Sequence, residues 1–204
     1  MNPLSSVLGD LALLGSVAAC ALGGTVTLFA LVTRRGRIAR LAGFGTAGLV
    51  GLYALVLVGV AFASREVVLP PGSEKSISGF DPHLHFRVLD PASRGADGTV
   101  RVTLRARSDA RRAVQDPREF RVLLIDSRGH AFAPLRAAGA ARAPVFERRL
   151  HPGESCDVTL TFRPAPDSES LRLWVAEGAF PCAITIGHEN SPFHRRTLLT
   201  LAGV

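Results

Sequence analysis

Several residue types are scarce in this chain of 204 residues. Lys75 is its one lysine, so nearly every cation is an arginine, and there are three cysteines, one tryptophan and one tyrosine. The net charge of +7 would by itself favour nucleic acid or an anionic surface as partner. From Arg65 onward, however, carboxylates almost match the cations, and no continuous basic face is evident. We expect no binding to nucleic acid.

The common catalytic motifs are also missing. The sequence contains no G-x-S-x-G, no H-E-x-x-H and no glycine-rich phosphate loop after a strand, which argues against the usual hydrolase, zinc-protease and nucleotide sites. Asp81, Asp90, Glu147 and Asp157 fall on different predicted elements, and no spacing pairs them. We predict that the protein is not an enzyme, uses no cofactor and has no small-molecule substrate; an extracytoplasmic enzyme is the third alternative.

Two long stretches lack charge altogether. Leu11 to Val32 and Leu41 to Ala63 contain no charged residue, and each exceeds the roughly 20 residues needed to cross about 30 Å of hydrocarbon. A buried hairpin of a soluble protein would need other elements to wrap two helices that are apolar on every face. We predict a transmembrane hairpin over residues 11–63, preceded by an external tail at 1–10.

The arginines between these stretches indicate the orientation. Arg34, Arg35, Arg37 and Arg40 lie in the linking loop 33–40, which has no acidic residue. Basic residues beside spans stay on the cytoplasmic side. The sequence therefore predicts a two-span cell-membrane protein with both ends and the domain 64–204 outside the cytoplasm.

A second interpretation treats the second apolar stretch as a cleaved signal. Ala61 to Ala63, "AFA", mimics a cleavage site after a basic region. The stretch is longer than the roughly 7 to 15 apolar residues typical of a signal, and a full span precedes it. Small residues recur at every fourth position in both spans, which favours close packing of the hairpin; they are Gly15, Ala19 and Gly23, then Gly43, Ala47 and Gly51.

The pattern after residue 64 changes to short alternating segments broken by Pro, Gly and Asp, which is typical of an antiparallel sandwich. Turns are predicted at Asp126 to His130 and around Pro152 and Gly153. The predicted strands are 83–90, 99–108, 118–127, 144–150, 156–164, 171–177, 183–187 and 195–201. Residues 134–143 are consistent with a helical turn or a crossing loop.

One part of this region carries a resemblance. The element "LHPGESCDVTLTFRP" and the strand "GTVRVTLRARS" resemble bacterial immunoglobulin-like domains found on lipoproteins, secreted antigens and membrane-anchored proteins. The closing "IGHENSPFHRRTLLTL" is similar to the end of membrane-anchored members. The resemblance implies that the two predicted transmembrane helices are followed by an all-β immunoglobulin-like sandwich, with a role in binding and no known reaction.

His83 and His85 form the sharpest local pattern. Residues two apart on a strand share a face, so both imidazoles could ligate one copper or zinc ion. Arg87 continues the same face, which is equally consistent with the solvated side of a strand. Trp174 alternates against Leu171, Leu173 and Val175, and it serves either sheet packing or a protein interface.

Cys156 and Cys182 would lie in an oxidising compartment. Both are in phase with inward positions, but in a simple meander they are two strands apart, beyond disulfide reach. We expect two buried free thiols, with a disulfide if the chain changes sheets between them.

These observations predict a membrane-anchored extracytoplasmic module that acts in protein interaction or scaffolding. Its partners would be the lipid bilayer and another membrane or envelope protein. A metal-handling module that uses His83 and His85 is the alternative.

Overall fold

The computed structural model describes residues 3–77, 84–135, 145–178 and 182–203. It groups the chain into two compact units, the first comprising Met1–Ser64 with Phe180–Arg195 and the second Arg65–Ala179 with Arg196–Val204. The first contains helices α1 (Pro3–Val32) and α2 (Gly36–Ala63) and a 3₁₀ turn at Cys182–Ile184. In the second, the described strands are β1 (Val67–Leu69), β2 (Glu74–Ser76), β3 (Leu84–Val88), β4 (Ser93–Arg94), β5 (Val100–Ser108), β6 (Arg121–Ile125), β7 (Ala131–Phe132), β8 (Ser155–Phe162), β9 (Arg172–Ala176) and β10 (Thr197–Thr200).

The two helices contain the predicted apolar stretches and extend beyond them. Helix α1 begins at Pro3, a residue well suited to the first helical turn because its missing N–H is not needed there. Helix α2 begins at Gly36, so Arg37 and Arg40 are helical and the link shortens from the expected 33–40 to 33–35. Arginine is a good helix former, which explains this extension. Both helices are long and apolar enough to cross a membrane.

Contacts between the helices use part of the predicted small-residue pattern. A Cβ atom at Gly23 would lie 2.1 Å from Thr46 Oγ1, and one at Gly43 would lie 4.0 Å from Thr27 Cγ2. Gly15 and Gly51, by contrast, have no atom within 4 Å of such a Cβ. Close packing is therefore centred on Gly23 and Gly43, and the expectation for Gly15 and Gly51 is wrong.

The strands of the second unit form two sheets. Within the described residues, the first sheet has the order β1-β10-β9-β6-β7, and the second has β2-β3-β5-β4 with β8 paired to β5. Strand β1 runs parallel to β10, whereas the other pairs are antiparallel. The long β5–β8 ladder, from Val100 opposite Phe162 to Arg107 opposite Ser155, is the centre of the second sheet.

Both sheets contribute to one hydrophobic core. Alternation along β5 buries every second residue, as the sequence predicts for a half-buried strand. Phe86 of the second sheet lies 5.0 Å from Phe120 and 5.7 Å from Phe146, between ring centroids. Leu173 and Val175 of the first sheet belong to the same cluster.

Lys75 connects the two sheets. It lies on β2 opposite Phe86, and it is only 4% exposed. Its Nζ donates to the carbonyl of Val175 at 2.7 Å and to that of Thr197 at 3.0 Å. A buried ammonium group needs such acceptors, because losing water costs several kcal/mol. The one lysine of the chain is thus a structural link between β2 and strands β9 and β10.

Both predicted turns are confirmed. Gly129 has φ of 85° and its N–H donates to Asp126 O, which closes the hairpin between β6 and β7. Gly153 has φ of 78° and follows Pro152, and the N–H of Glu154 donates to His151 O. A glycine with positive φ after proline is the signature of a type II turn.

Two strand predictions are wrong. Within 144–150, the described residues 145–149 are irregular, and Leu150 makes an isolated bridge with Gln115. Residues 183–187 form turns because the N–H of Thr185 bonds back to Cys182 O, which uses groups that a sheet would require. The helical turn suggested for 134–143 falls mostly on 136–144, outside the described residues.

Candidate functional site

His85 lies at the centre of a hydrogen-bonded group on the second sheet. Its Nδ1 is 2.9 Å from Ser76 Oγ and its Nε2 is 2.7 Å from Asp109 Oδ2. Because a carboxylate only accepts, Nε2 carries a proton and a neutral ring accepts from the Ser76 hydroxyl at Nδ1. His83, the other half of the predicted pair, lies outside the described residues.

Strand register explains how these side chains meet. Ser76 of β2 pairs with His85 of β3, and His85 pairs with Arg107 of β5. Asp109 follows the last residue of β5, where the chain leaves the sheet. These residues are far apart in sequence, so only the pairing of three strands identifies the group.

The same face continues as rows of charged side chains. Arg107 Nη2 lies 3.0 Å from Glu74 Oε2, and Arg105 forms two bonds of 2.7 Å with Asp157 of β8. These bonds lower the pKa of Asp157 despite some desolvation. Solvent screens each such exposed pair, so a single pair adds little stability, but together the pairs hold the neighbouring strands in register. We call the surface formed by these side chains, Glu74, Arg107, Arg105 and Asp157, the polar face.

Both ring nitrogens of His85 already make hydrogen bonds, which limits the binding or catalysis that this group of side chains can support. A metal ion at either ring nitrogen would have to replace the contact with Ser76 or with Asp109. Serine, histidine and aspartate are also the members of a hydrolytic triad, but here they stand on the outer side of a sheet. No residue of this group lines the cavity found in the described part of the second unit. The arrangement is best suited to fixing β2 against β3 and the end of β5.

That cavity was missed by sequence reasoning. It has a volume of about 130 Å³ and combines the carboxylates of Asp116, Glu119 and Glu177 with the ring of Phe120. Ligand pockets usually measure about 300–1,000 Å³, so this one suits a few water molecules better. Hydrogen bonds from Arg118 and, less strongly, from Arg149 hold the pKa of Asp116 well below its usual range, although burial opposes them. Nothing in the sequence links the separate segments 115–120 and 177.

Trp174 lies on β9 opposite Leu123 of β6 and is partly exposed. The guanidinium carbon of Arg196 is 4.3 Å from the centre of the indole ring, a cation–π contact. Within the described residues, the indole N–H is buried without a hydrogen-bond partner. At Trp174 the surface therefore presents an aromatic ring that is covered by the Arg196 cation. The indole does not present a polar donor there.

The four arginines of the predicted topology signal are all exposed. Arg34 and Arg35 occupy the turn between the helices, and Arg37 and Arg40 lie at the start of α2. Arg34 has φ of 55°, which allows the abrupt reversal of the chain. The turn thus concentrates four positive charges at one end of the helical pair.

No disulfide joins any of the three cysteines in the described part of the chain. Cys156 and Cys182 are partly exposed, so the expectation that both are buried is wrong. Desolvation raises the pKa of the Cys156 thiol, and the nearby Arg148 opposes this only in part. A raised thiol pKa disfavours the reactive thiolate.

No family model matches the chain, and no curated protein matches its sequence. Among solved structures, it is similar to MPT63, a secreted protein from Mycobacterium tuberculosis, with 13% identity and a TM-score of 0.43 over 67% of this chain and 98% of that one. A conserved hypothetical protein from Bacillus anthracis has 13% identity and a TM-score of 0.35 over 52% and 86%. The yjhA protein from Bacillus subtilis has 12% identity and a TM-score of 0.37 over 65% and 98%.

Proposed function

We propose that this protein is a two-span membrane protein whose extracytoplasmic immunoglobulin-like domain binds another envelope protein. The observation that carries the proposal is the exposed apolar surface of the helices. Leu22 is 67% exposed, Phe44 76% and Leu55 73%. A soluble protein rarely exposes so large an apolar surface, whereas a bilayer would cover it.

The charge distribution supports the orientation. The four arginines at the turn between α1 and α2 favour a cytoplasmic position for that turn. The start of α1 and the end of α2 would then lie on the other side of the membrane from that turn. The unit that begins at Arg65 would likewise face the cell exterior or the periplasm.

Strand pairing supports the immunoglobulin-like assignment. In that fold, strands B and E pair in one sheet, and C, F and G form the other. Here β5 pairs with β8 in the second sheet, while β10, β9 and β6 are successive neighbours in the first sheet. If β5 is strand B and β8 is strand E, then β6, β9 and β10 correspond to C, F and G.

The edge strand β1 is the surface on which we place the partner. It ends the first sheet, and Val67 and Val68 are 42% and 40% exposed. Proteins usually protect a sheet edge with charge, proline or a covering element. An exposed edge with apolar side chains can accept an added strand, which supplies backbone hydrogen bonds and side-chain contacts together.

Site-specific photo-crosslinking in native membranes tests this proposal. A benzophenone amino acid at Val68 should give a discrete covalent adduct with a protein. The matched position is Ala131, which is exposed on β7 at the opposite edge of the same sheet, and it should give none. Absence of an adduct at Val68, or equal adducts at both positions, would contradict the assigned surface.

A further inference from the structure

The segment Cys182–Arg195, here called the outer segment, belongs to the same compact unit as the helices. Tyr53 Oη of α2 donates to Ile184 O at 2.6 Å. The N–H of Arg195 donates to Ser64 Oγ at 2.8 Å, just after the end of α2. Gly9 of α1 also lies against the outer segment, since a Cβ atom at Gly9 would lie 2.1 Å from Ile186 O.

These contacts reach well along the helices. Tyr53 precedes Ala63, the last residue of α2, by ten positions, which corresponds to about 15 Å at 1.5 Å per residue. The headgroup region on one side of a bilayer accounts for only about 5–8 Å of the total thickness. If α2 spans the membrane, the part of the outer segment near Ile184 lies at the level of the acyl chains.

The backbone of the outer segment is suited to that level. The N–H groups of Thr185, His188, Ser191 and His194 donate to the carbonyls of Cys182, Thr185, His188 and Ser191 in turn, giving four successive turns. Non-helical backbone at membrane depth must satisfy its polar groups within the protein. Four polar side chains of the segment, Thr185, His188, Glu189 and Ser191, are buried within the protein, and Ser191 Oγ donates to His188 O.

Apart from Arg195 at its end, the side chains that the segment exposes are apolar. Ile184 is 39% exposed and Phe193 65%. The ring of Phe193 stacks on that of Phe62, with centroids 5.2 Å apart, and Phe62 is itself 70% exposed. Phe193 has φ of 66°, a left-handed conformation that a non-glycine residue seldom adopts. Such strain at an exposed aromatic pair is consistent with a functional surface.

We propose that the outer segment inserts into the outer leaflet, with Phe193, Phe62 and Ile184 in contact with acyl chains just below the headgroups. This inference rests on the proposed membrane anchoring. The Phe62–Phe193 stack joins an exposed apolar side chain of α2 to an exposed apolar side chain of the segment. Arg195, at the end of the segment, is exposed and is placed to meet lipid phosphates.

Quenching of tryptophan fluorescence by brominated phospholipids tests the insertion in the full chain, reconstituted into vesicles. Trp174→Phe removes the natural fluorophore, and Phe193→Trp then introduces one at the site. We expect about a twofold loss of fluorescence in bromolipid and little quenching by aqueous iodide, because interfacial apolar side chains lie about 5–10 Å deep. Phe62→Trp provides a second reporter from the helix if the first variant does not fold.

Leu22→Trp, at an exposed position midway along the apolar stretch 11–32 of α1, separates the two hypotheses. Quenching of this control by bromolipid, with Phe193→Trp and Phe62→Trp quenched only by iodide, would overturn the insertion and leave the anchoring intact. Failure of bromolipid to quench the Leu22→Trp control would overturn the anchoring and the insertion together.

Discussion

At the scale of single residues, Lys75 offers the clearest test of what holds the sheets together. Lys75→Met keeps most of the aliphatic stem but removes the ammonium group that donates to Val175 O and Thr197 O. Unsatisfied buried acceptors cost about 1–3 kcal/mol, so we expect a loss of about 2 kcal/mol. Denaturant unfolding of the full chain in detergent, followed by Trp174 fluorescence, measures it.

The matched control is Glu74→Gln, because Glu74 is the exposed neighbour of Lys75. This substitution should change the free energy of unfolding by less than about 1 kcal/mol. A Lys75→Met variant as stable as the natural chain would show that the cost of burying the charge cancels its hydrogen bonds.

Asp116 gives a residue-scale prediction for pH. The Arg118 and Arg149 bonds hold its folded pKa below the ordinary 3.8. A carboxyl with a depressed folded pKa stabilises the protein above its unfolded pKa and loses that contribution as the pH falls toward the folded value. The stability advantage of the natural chain over Asp116→Asn should therefore be constant above about pH 5 and shrink below about pH 4.

Denaturant titrations at a series of pH values measure this difference. Repeating the comparison in an Arg118→Gln, Arg149→Gln background provides the control, where the difference should no longer change with pH between 5 and 3. An advantage that grows on acidification would contradict the assigned cause.

At the scale of elements, the helical pair depends on one close approach. Gly23→Leu forces side-chain atoms into the space held by Thr46 Oγ1, and overpacking of this kind costs about 1–3 kcal/mol. We expect a lower Tm in detergent. Gly24→Leu is the matched control, because a Cβ at Gly24 meets no atom within 4 Å; equal effects of both substitutions would argue against the Gly23–Thr46 contact.

Elements also show how far the sequence could predict the fold. Strands β3, β5 and β9 follow from alternation, and the two glycine turns follow from their need for positive φ. The alternation of Ile184 and Ile186 gave a false strand, because period two cannot distinguish a strand from turns that happen to separate two apolar residues. Two contacts fix the real conformation: the hydrogen bond from Tyr53 to Ile184 O, and the close approach of Gly9 to Ile186 O, which its lack of a side chain allows. Each contact joins residues more than 100 positions apart in the sequence.

The same limit applies to the candidate site. His85 was identified from its spacing, but its partners Ser76 and Asp109 depend on strand register, which the sequence does not specify. Lys75 was uninformative as a sequence feature, since lysine is seldom buried, and only the structure shows its inward position.

At the scale of the whole molecule, orientation in the membrane is the main prediction. A reporter active only in the cytoplasm should function when inserted at Gly36, beside the exposed arginines, and should be silent when fused after Val204. Replacing Arg34, Arg35, Arg37 and Arg40 with glutamate should weaken this preference, because acidic residues do not retain a loop in the cytoplasm. Activity after Val204 together with silence at Gly36 would reverse the proposed topology.

The burial of Lys75 has a practical consequence for following how this protein opens. The chain has no other lysine, and its ε-amine is shielded while β2 remains in place. A succinimidyl ester can acylate that amine only when the strand opens, at a rate set by the opening equilibrium. Mass spectrometry of the one arginine-bounded peptide that contains Lys75 would then measure the labelling rate. That rate reports how often the two sheets separate, and the measurement needs no spectroscopic probe and no denaturant.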